Sequence, residues 1–340
     1  MKEVAVAVLN WNGKKLLEQF LPSVTQYSTE ADVYVIDNAS SDDSLAFVRS
    51  QHPEVKIIET GDNLGYAGGY NFALQKIENP FVVLLNSDIE VTQNWLQAPL
   101  QQLKNNPKLG ACQPKIKDYK NQNLFEYAGA SGGFIDFLGY PFCRGRVFFD
   151  LEEDQGQYNG DIEIFWASGA CMFVNREAFW EVGGLDEAFF AHMEEIDLCW
   201  RMKNKGYSIE VVPDSVVYHV GGGTLDSQSP NKTFLNFRNS IYLLFKNLPG
   251  KMLFPILFAR LVLDGAAGVK FILEFKFKHA LAIVRAHFAF YGNFARLSKQ
   301  RRNLHTPTDI ELNGIYQKPI VVEHFLGGIK KFSDLKGKFS

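Results

Sequence analysis

The segment His192-Met193-Glu194-Glu195-Ile196-Asp197-Leu198-Cys199-Trp200-Arg201 packs three carboxylates into four positions. Phe189, Phe190, Met193, Leu198 and Trp200 surround them in sequence, so the acids are expected to be partly buried. Carboxylates crowded together out of water repel one another, which raises the pKa of one and makes a general base. A solvated first helical turn would use the same residues to offset a helix dipole, but the apolar flanks favour chemistry. A second acidic position ends the apolar run Val82-Val83-Leu84-Leu85, in Asn86-Ser87-Asp88. A hard divalent cation takes oxygen ligands, and beside phosphates it draws much of its coordination from them and from water. One carboxylate, Asp88, is then enough to anchor it. His219 closes another apolar run and could complete the shell if the fold brings it to Asp88.

The elements that must hold these groups are legible in the first quarter of the chain. Strands are expected at Val4–Leu9, Asp32–Ile36, Val55–Glu59 and Phe81–Leu85, with helices at Lys14–Gln26, Ser44–His52 and Gly68–Ile77. Runs such as VAVAVL and FVVLL suit strands buried on both faces of a mostly parallel sheet. Polar clusters follow three of the strands: Asn10-Trp11-Asn12-Gly13, Asp37-Asn38-Ala39-Ser40-Ser41-Asp42 and Asn86-Ser87-Asp88. Ligands of open α/β sheets sit beyond the carboxyl ends of the strands, so the three clusters should share one crevice. There Asp37 can accept a hydrogen bond from a pyrimidine N–H, and Asn38 can bond ribose or base. Gly61–Leu74, GDNLGYAGGYNFAL, is glycine-rich before a helix and admits close backbone approach. Its spacing matches neither of the common phosphate-loop patterns.

Further along, Lys115–Gly160 reads as loops and short antiparallel strands. Ala170–Asn175 and Ser208–His219 read as strands, and Arg176–Val182 and Glu194–Asn204 as helices. From Lys232 to about Leu304 the pattern is helical, aromatic and basic. Between Lys246 and Arg302 there are 11 Lys and Arg against Asp264 and Glu274 alone, while the chain as a whole carries a formal charge of −3. An acidic body therefore bears a basic tail segment, which speaks about surfaces and not about fold. Leu253–Phe275 is interrupted by Pro255, Arg260, Asp264, Lys270 and Glu274, too often for a spanning helix. The segment instead suits a helix lying on an anionic membrane surface, with a helical cap or a dimer face as the other readings. The four cysteines are widely spaced and read as reduced thiols. The apolar run at the start is too short for a signal peptide. A cytoplasmic protein is expected, at most peripheral on the cytoplasmic face of the inner membrane, with no nucleic-acid partner.

Taken in order, NWNG, DNASSDDS, NLGYAGGYN, LLNSD, WASGACMFVNREAFWEVGGLDEAFF, EEIDLCWR and His219 resemble family 2 glycosyltransferases, in particular the bacterial rhamnosyltransferase-like branch that builds surface polysaccharides. The similarity covers about Val4 to Thr224. It implies a GT-A nucleotide-diphospho-sugar transferase fold over residues 1–230, followed by a helical extension over 231–340. It implies a dTDP- or UDP-sugar donor, with rhamnose a candidate, a glycan or lipid-linked acceptor, Mg or Mn, and inversion at the anomeric carbon. The acidic metal motif falls on Asn86-Ser87-Asp88, so ligation passes to Asp88, and a metal-binding histidine maps to His219. The catalytic pair maps to Glu194-Glu195, with Glu195 the base and Asp197 the runner-up. Nucleotide contacts are expected from Asn10, Asn12, Asp37, Asn38, Gly65, Tyr66, Gly69, Asn71 and Ser87. Trp166, Ser168, Gly169 and Trp200 are expected to shape the acceptor region. A sugar nucleotidyltransferase ranks below, because the glycine cluster it needs after the first strand is absent. A non-catalytic nucleotide-sugar-binding module would have no use for the acidic helix.

Overall fold

A computed structural model of the chain describes residues 2–221, 229–304 and 312–340. Gly222 and Gly223, the end of the glycine run after His219, lie outside the described residues, as does Thr224. The first part alternates strand and helix: β1 (Val4–Asn10), α1 (Lys14–Tyr27), β2 (Ala31–Asp37), α2 (Ser44–Gln51), β3 (Lys56–Glu59), α3 (Gly65–Leu74) and β4 (Phe81–Asn86). Next come β5 (Ile89–Val91), α4 (Gln97–Asn105), β6 (Leu109–Asp118), and the short strands β7 (Gly133–Asp136), β8 (Pro141–Cys143), β9 (Arg146–Val147), β10 (Asp150–Leu151) and β11 (Ile162–Glu163). The body closes with β12 (Cys171–Asn175), α5 (Arg176–Glu181), a 3-10 turn at Glu187–Phe189, α6 (Glu194–Asn204) and β13 (Ser208–His219). Then follow α7 (Pro230–Asn247), α8 (Gly250–Leu273), α9 (Phe277–Gly292), α10 (Phe294–Asn303), β14 (Ile315–Tyr316) and α11 (Ile320–Phe325).

Alternation along β1 explains the layering. Ala5 and Ala7 face one core with Ala67, Tyr70 and Leu74 of α3, while Val4, Val6 and Val8 face another with Leu17, Leu21 and Val24 of α1. A strand with two buried faces reads as an unbroken apolar run, and this one does. The main sheet has the order β11-β13-β6-β12-β4-β1-β2-β3, with β5 on β13. It is mixed as a whole and parallel only in part. β1 pairs in parallel with both β2 and β4, and β2 with β3. β12 runs antiparallel between β4 and β6. Register sets Asn10 opposite Asp37, and Leu9 opposite Asn86, so three polar tips emerge at one edge. The helix α3 begins at Gly65, earlier than the sequence pattern indicates, and this brings the glycine-rich stretch into its first turn.

The C-terminal segment is built into the body. β14 adds in parallel to β7, completing a second sheet of order β10-β9-β8-β7-β14. Helix α7 clasps the chain ahead of α6: Asn239 Nδ2 donates to the carbonyls of Phe189, Ala191 and His192 at 3.1, 2.9 and 2.7 Å. Below that, the fully buried Asp197 accepts from Arg201 at 2.8 Å, from Lys246 at 2.9 Å and from Asn247 at 2.8 Å. No helix among the described residues is long and apolar enough to cross a membrane. Removing one member of a buried ion pair strands the other charge and costs about 3–5 kcal/mol. Asp197→Ala is therefore expected to lower the urea midpoint by that much stability, and a loss below about 1 kcal/mol would show that the clasp is not structural.

Candidate active site

The crevice at the strand tips is held open by hydrogen bonds among its own side chains. Asp37 Oδ1 accepts from Asn10 Nδ2 at 3.3 Å and Oδ2 from the Ser40 amide at 3.0 Å, leaving one lone pair on each oxygen. Asn12 takes a positive φ of 50°, and its side-chain oxygen accepts from the Ser41 amide at 2.7 Å. Trp11, between these two asparagines, is 45% exposed. Ser87 Oγ lies beside Gly13, where a Cβ would come within 2.5 Å of Asn10 Oδ1. A side chain at 13 would close the approach to the strand tips. Gly65 has a φ of +70° and presses on Phe190, which its Cβ would meet at 2.7 Å. The next residue, Tyr66, donates its amide to the Phe190 carbonyl and its hydroxyl to the Gly169 carbonyl at 2.9 and 2.6 Å. Gly69 lies against Leu9 and the Asn38 amide. The glycine-rich turn thus couples the crevice to the acidic segment.

At the other corner β13 carries His219 to the loop after β4. His219 Nε2 lies 3.1 Å from Asp88 Oδ1, and both side chains are buried. Behind the ring, Glu126 Oε2 stands 3.2 Å from Nδ1 in charge contact without hydrogen-bond geometry. Glu126 escapes sequence reasoning because it follows a loop of weak periodicity; only its place between two aromatics marks it. Burial raises Asp88, yet the adjoining imidazole outweighs it and holds the carboxylate below its usual range. Burial opposes a charged His219, but Glu126 and Asp88 override it and push the ring up to about 10. Among the described residues, no three His, Cys, Asp or Glu converge to cage a metal unaided. What is present is one carboxylate, one imidazole facing it, and a carboxylate behind that imidazole. A metal-ligating histidine is commonly oriented by a carboxylate in this way. The donor set fits a cation that displaces the Nε2 proton held between His219 and Asp88 and receives its other ligands from a bound anion and water.

Glu194 and Glu195 open α6 after three residues of positive φ: Phe190, His192 and Met193, at 65, 69 and 73°. Such backbone costs about 1 kcal/mol or more per residue and needs outside support, which Asn239 supplies. Each carboxylate keeps a buried Oε2 without a hydrogen-bond partner among the described residues. Burial, followed by the charge of Glu195, raises Glu194 well above its ordinary value. Burial pushes Glu195 up to about 7, with amides of the helix start opposing. Glu194 is buried while Glu195 is half-buried, so Glu195 has the access.

Several expected contacts have other partners. Asp197 faces the α7 clasp, where Lys246 and Arg201 outweigh burial and hold it down to about 2, so the runner-up base is an ion-pair anchor. The Asn38 amide is spent: it donates to Asn63 and the Gly65 carbonyl and accepts from Thr60 and the Leu64 amide. Asn71 latches α3 to Leu185, donating at 2.8 Å and accepting at 3.0 Å. Trp166 is buried with its Nε1 on the Phe134 carbonyl, and Trp200 is buried edge-on to Phe165; both are core residues, closed to an acceptor. Ser168 bonds the Ala128 carbonyl from a buried position. Gly169 remains at the site through Tyr66.

Comparison with known proteins agrees with this architecture. The sequence profile of "Glycosyl transferase family 2" matches residues 5–183. An N-acetylglucosaminyl-diphospho-decaprenol L-rhamnosyltransferase of Mycobacterium tuberculosis is 29% identical over 221 residues, covering 60% of this chain and 71% of that protein. The low-salt glycan biosynthesis hexosyltransferase Agl10 of Haloferax volcanii is 22% identical over 246 residues, covering 70% and 74%. Among solved structures, GalNAc-T7 with UDP, GalNAc and Mn2+ superposes with a TM-score of 0.58 at 16% identity, over 74% of this chain and 49% of that one. Residues 1–349 of TarS from S. aureus with UDP-GlcNAc give 0.55 at 17% identity, over 90% and 86%. The fold is that of GT-A glycosyltransferases. The order of motifs, the sheet that presents them and the profile match together lead to one conclusion: the chain belongs to glycosyl transferase family 2 and is a glycosyltransferase.

Proposed function

We propose that the protein moves a sugar from a dTDP- or UDP-sugar to a hydroxyl of a glycan or lipid-linked acceptor, with inversion, at the cytoplasmic face of a membrane. The observation that carries the mechanism is the half-buried Glu195 with an unpartnered oxygen, beside a more deeply buried acid; burial there pushes its carboxyl up to about 7. A carboxylate tuned to neutral pH is both ionised enough to accept a proton and basic enough to hold it. Glu195 takes the proton of the acceptor hydroxyl as its oxygen bonds to the anomeric carbon. The bond from that carbon to the nucleoside diphosphate breaks on the opposite face. Burial raises Glu194 well above the ordinary value for a glutamate, which disfavours a second full charge beside Glu195. Asp37 and the Asn10–Ser40 network are the proposed seat of the base, with Ser87 and the Gly65–Tyr66 turn nearer the phosphates.

Asp88 and His219 would hold Mg or Mn, with Glu126 fixing the ring; the Mn2+ complex of GalNAc-T7 supports this choice of ion. When bound, such an ion neutralises charge on the departing diphosphate. Asn86 stands where an acid is usual in the family, which leaves two protein ligands and makes the site dependent on the donor. The rhamnosyltransferase relative supports a deoxysugar donor and a lipid-diphosphate acceptor.

Glu195→Gln is expected to lower transfer about 100- to 10,000-fold with donor affinity retained; undiminished turnover would contradict the assignment. Because Glu195 acts ionised and its pKa is raised, the wild-type rate should climb with pH through about 7 and level off above it. In calorimetry of UDP with and without Mn, Asp88→Ala should abolish the gain in affinity that Mn confers. Glu126→Gln should weaken it about 10- to 100-fold. Tight Mn retention without nucleotide would overturn the donor-dependent site.

A further inference from the structure

We infer that the α8–α9 hairpin docks in the plane of an anionic lipid bilayer, with its apolar outer face entering the interface. The hairpin is apolar on its outer face as well as on its inner one, where a single ion pair is enclosed. Its inner face buries charge: Arg260 and Asp264 are both inaccessible, with Nε and Oδ1 3.8 Å apart. His287 Nε2 lies 3.1 Å from the other oxygen of Asp264. The Arg260 guanidinium stacks 3.9 Å from the Tyr140 ring centroid and donates to the Leu138 carbonyl at 3.2 Å. Its outer face presents Phe254, Phe258, Leu273, Phe275, Phe277 and Phe288, with Phe254 80% and Phe275 82% exposed. A helix on a water-facing surface puts its charges outside and its apolar stripe inside. Here α9 buries Ala282, Ile283, Ala286 and Phe290, and α8 buries Ile256 beside the Arg260–Asp264 pair, yet the outer face is apolar as well, and the medium that suits it is apolar.

Charge selects the occupant. On the outside of the hairpin Lys251, Lys270, Lys276, Lys278 and Arg285 are exposed against Glu274 alone. That glutamate is itself taken by Lys276 at 2.8 Å and Lys270 at 3.8 Å. Two copies of this face would bring cations against cations, whereas anionic headgroups neutralise them and the rings reach the acyl boundary. Neither helix can span, so the binding mode is in-plane. Phe275 and Phe277, with Lys276 between them, form the turn, and Phe275 holds a φ of 57° that turns the chain from α8 into α9. The inference stands on these two helices and is independent of the catalytic reading.

The test is flotation of the full-length chain with vesicles of phosphatidylcholine alone or containing phosphatidylglycerol. The chain should float with the anionic vesicles and stay below with the neutral ones at the same salt. A Phe254→Ser, Phe275→Ser, Phe277→Ser triple variant should partition at least tenfold more weakly while its circular dichroism is unchanged. Lys276→Glu with Lys278→Glu should lose the preference for anionic lipid. A Phe275→Trp variant should be quenched by lipids brominated on the acyl chain. Recovery of the wild type in the unbound fraction overturns the proposal. So does undiminished binding of the serine variant, or a dimer in sedimentation velocity that the serine variant abolishes.

Discussion

The structure turns on one buried ion pair, Asp197 with Lys246, which joins the helix carrying the acidic pair to the first helix of the C-terminal segment. Buried charge is costly unless matched, and this pair has three further partners: Arg201 and Asn247 on Asp197, and the second acid Asp186 on Lys246. About two turns earlier in α7, Asn239 bonds three carbonyls, of Phe189, Ala191 and His192, in a segment whose backbone is strained at Phe190, His192 and Met193. The first turn of α6 is therefore placed by α7, and the raised pKa of Glu195 depends on that placement. The catalytic body and the C-terminal segment share one core at this point, although family motifs cover only the former.

The same economy appears at the imidazole corner. Asp88 sits at the loop after a strand buried on both sides, and β13 delivers His219 to it from across the sheet. Glu126 completes the line from the loop between β6 and β7. As the proposed ligands, Asp88 and His219 with Glu126 behind the ring would make a weak cation site by themselves, which would suit an ion that arrives with the donor and leaves with the nucleotide.

The strand–helix alternation and the placing of Asp88 and His219 at strand ends were legible from the sequence because apolar runs end there abruptly in polar residues. α6 and β13 begin and end where the pattern places them. The mixed character of the sheet was not legible: the antiparallel insertion of β12 depends on contacts far apart in the chain. Nor were the roles of Asp197, Asn38, Asn71, Trp166 and Trp200, whose types suit a site but whose hydrogen bonds and burial are consumed by the fold. Composition announces that an aspartate or tryptophan is present near a motif. Only tertiary contacts reveal whether it faces Lys246 or the crevice. Glu126 was hidden for the converse reason, being an unremarkable glutamate in an aperiodic stretch that acquires meaning only beside His219. The basic, aromatic tail was visible as composition, but which of its rings stay exposed on the outer face of α8 and α9 was set by tertiary packing.

The central claim is that burial at the start of α6 tunes Glu195 for proton transfer near neutral pH. Its most direct test is a carboxyl 13C NMR titration of the glutamate-labelled protein, with the Glu195 resonance assigned by its loss in the Glu195→Gln variant. A midpoint of about 7 is expected, with Glu194 still protonated at that pH. A midpoint near the ordinary value for glutamate, about 4.3, would contradict the account.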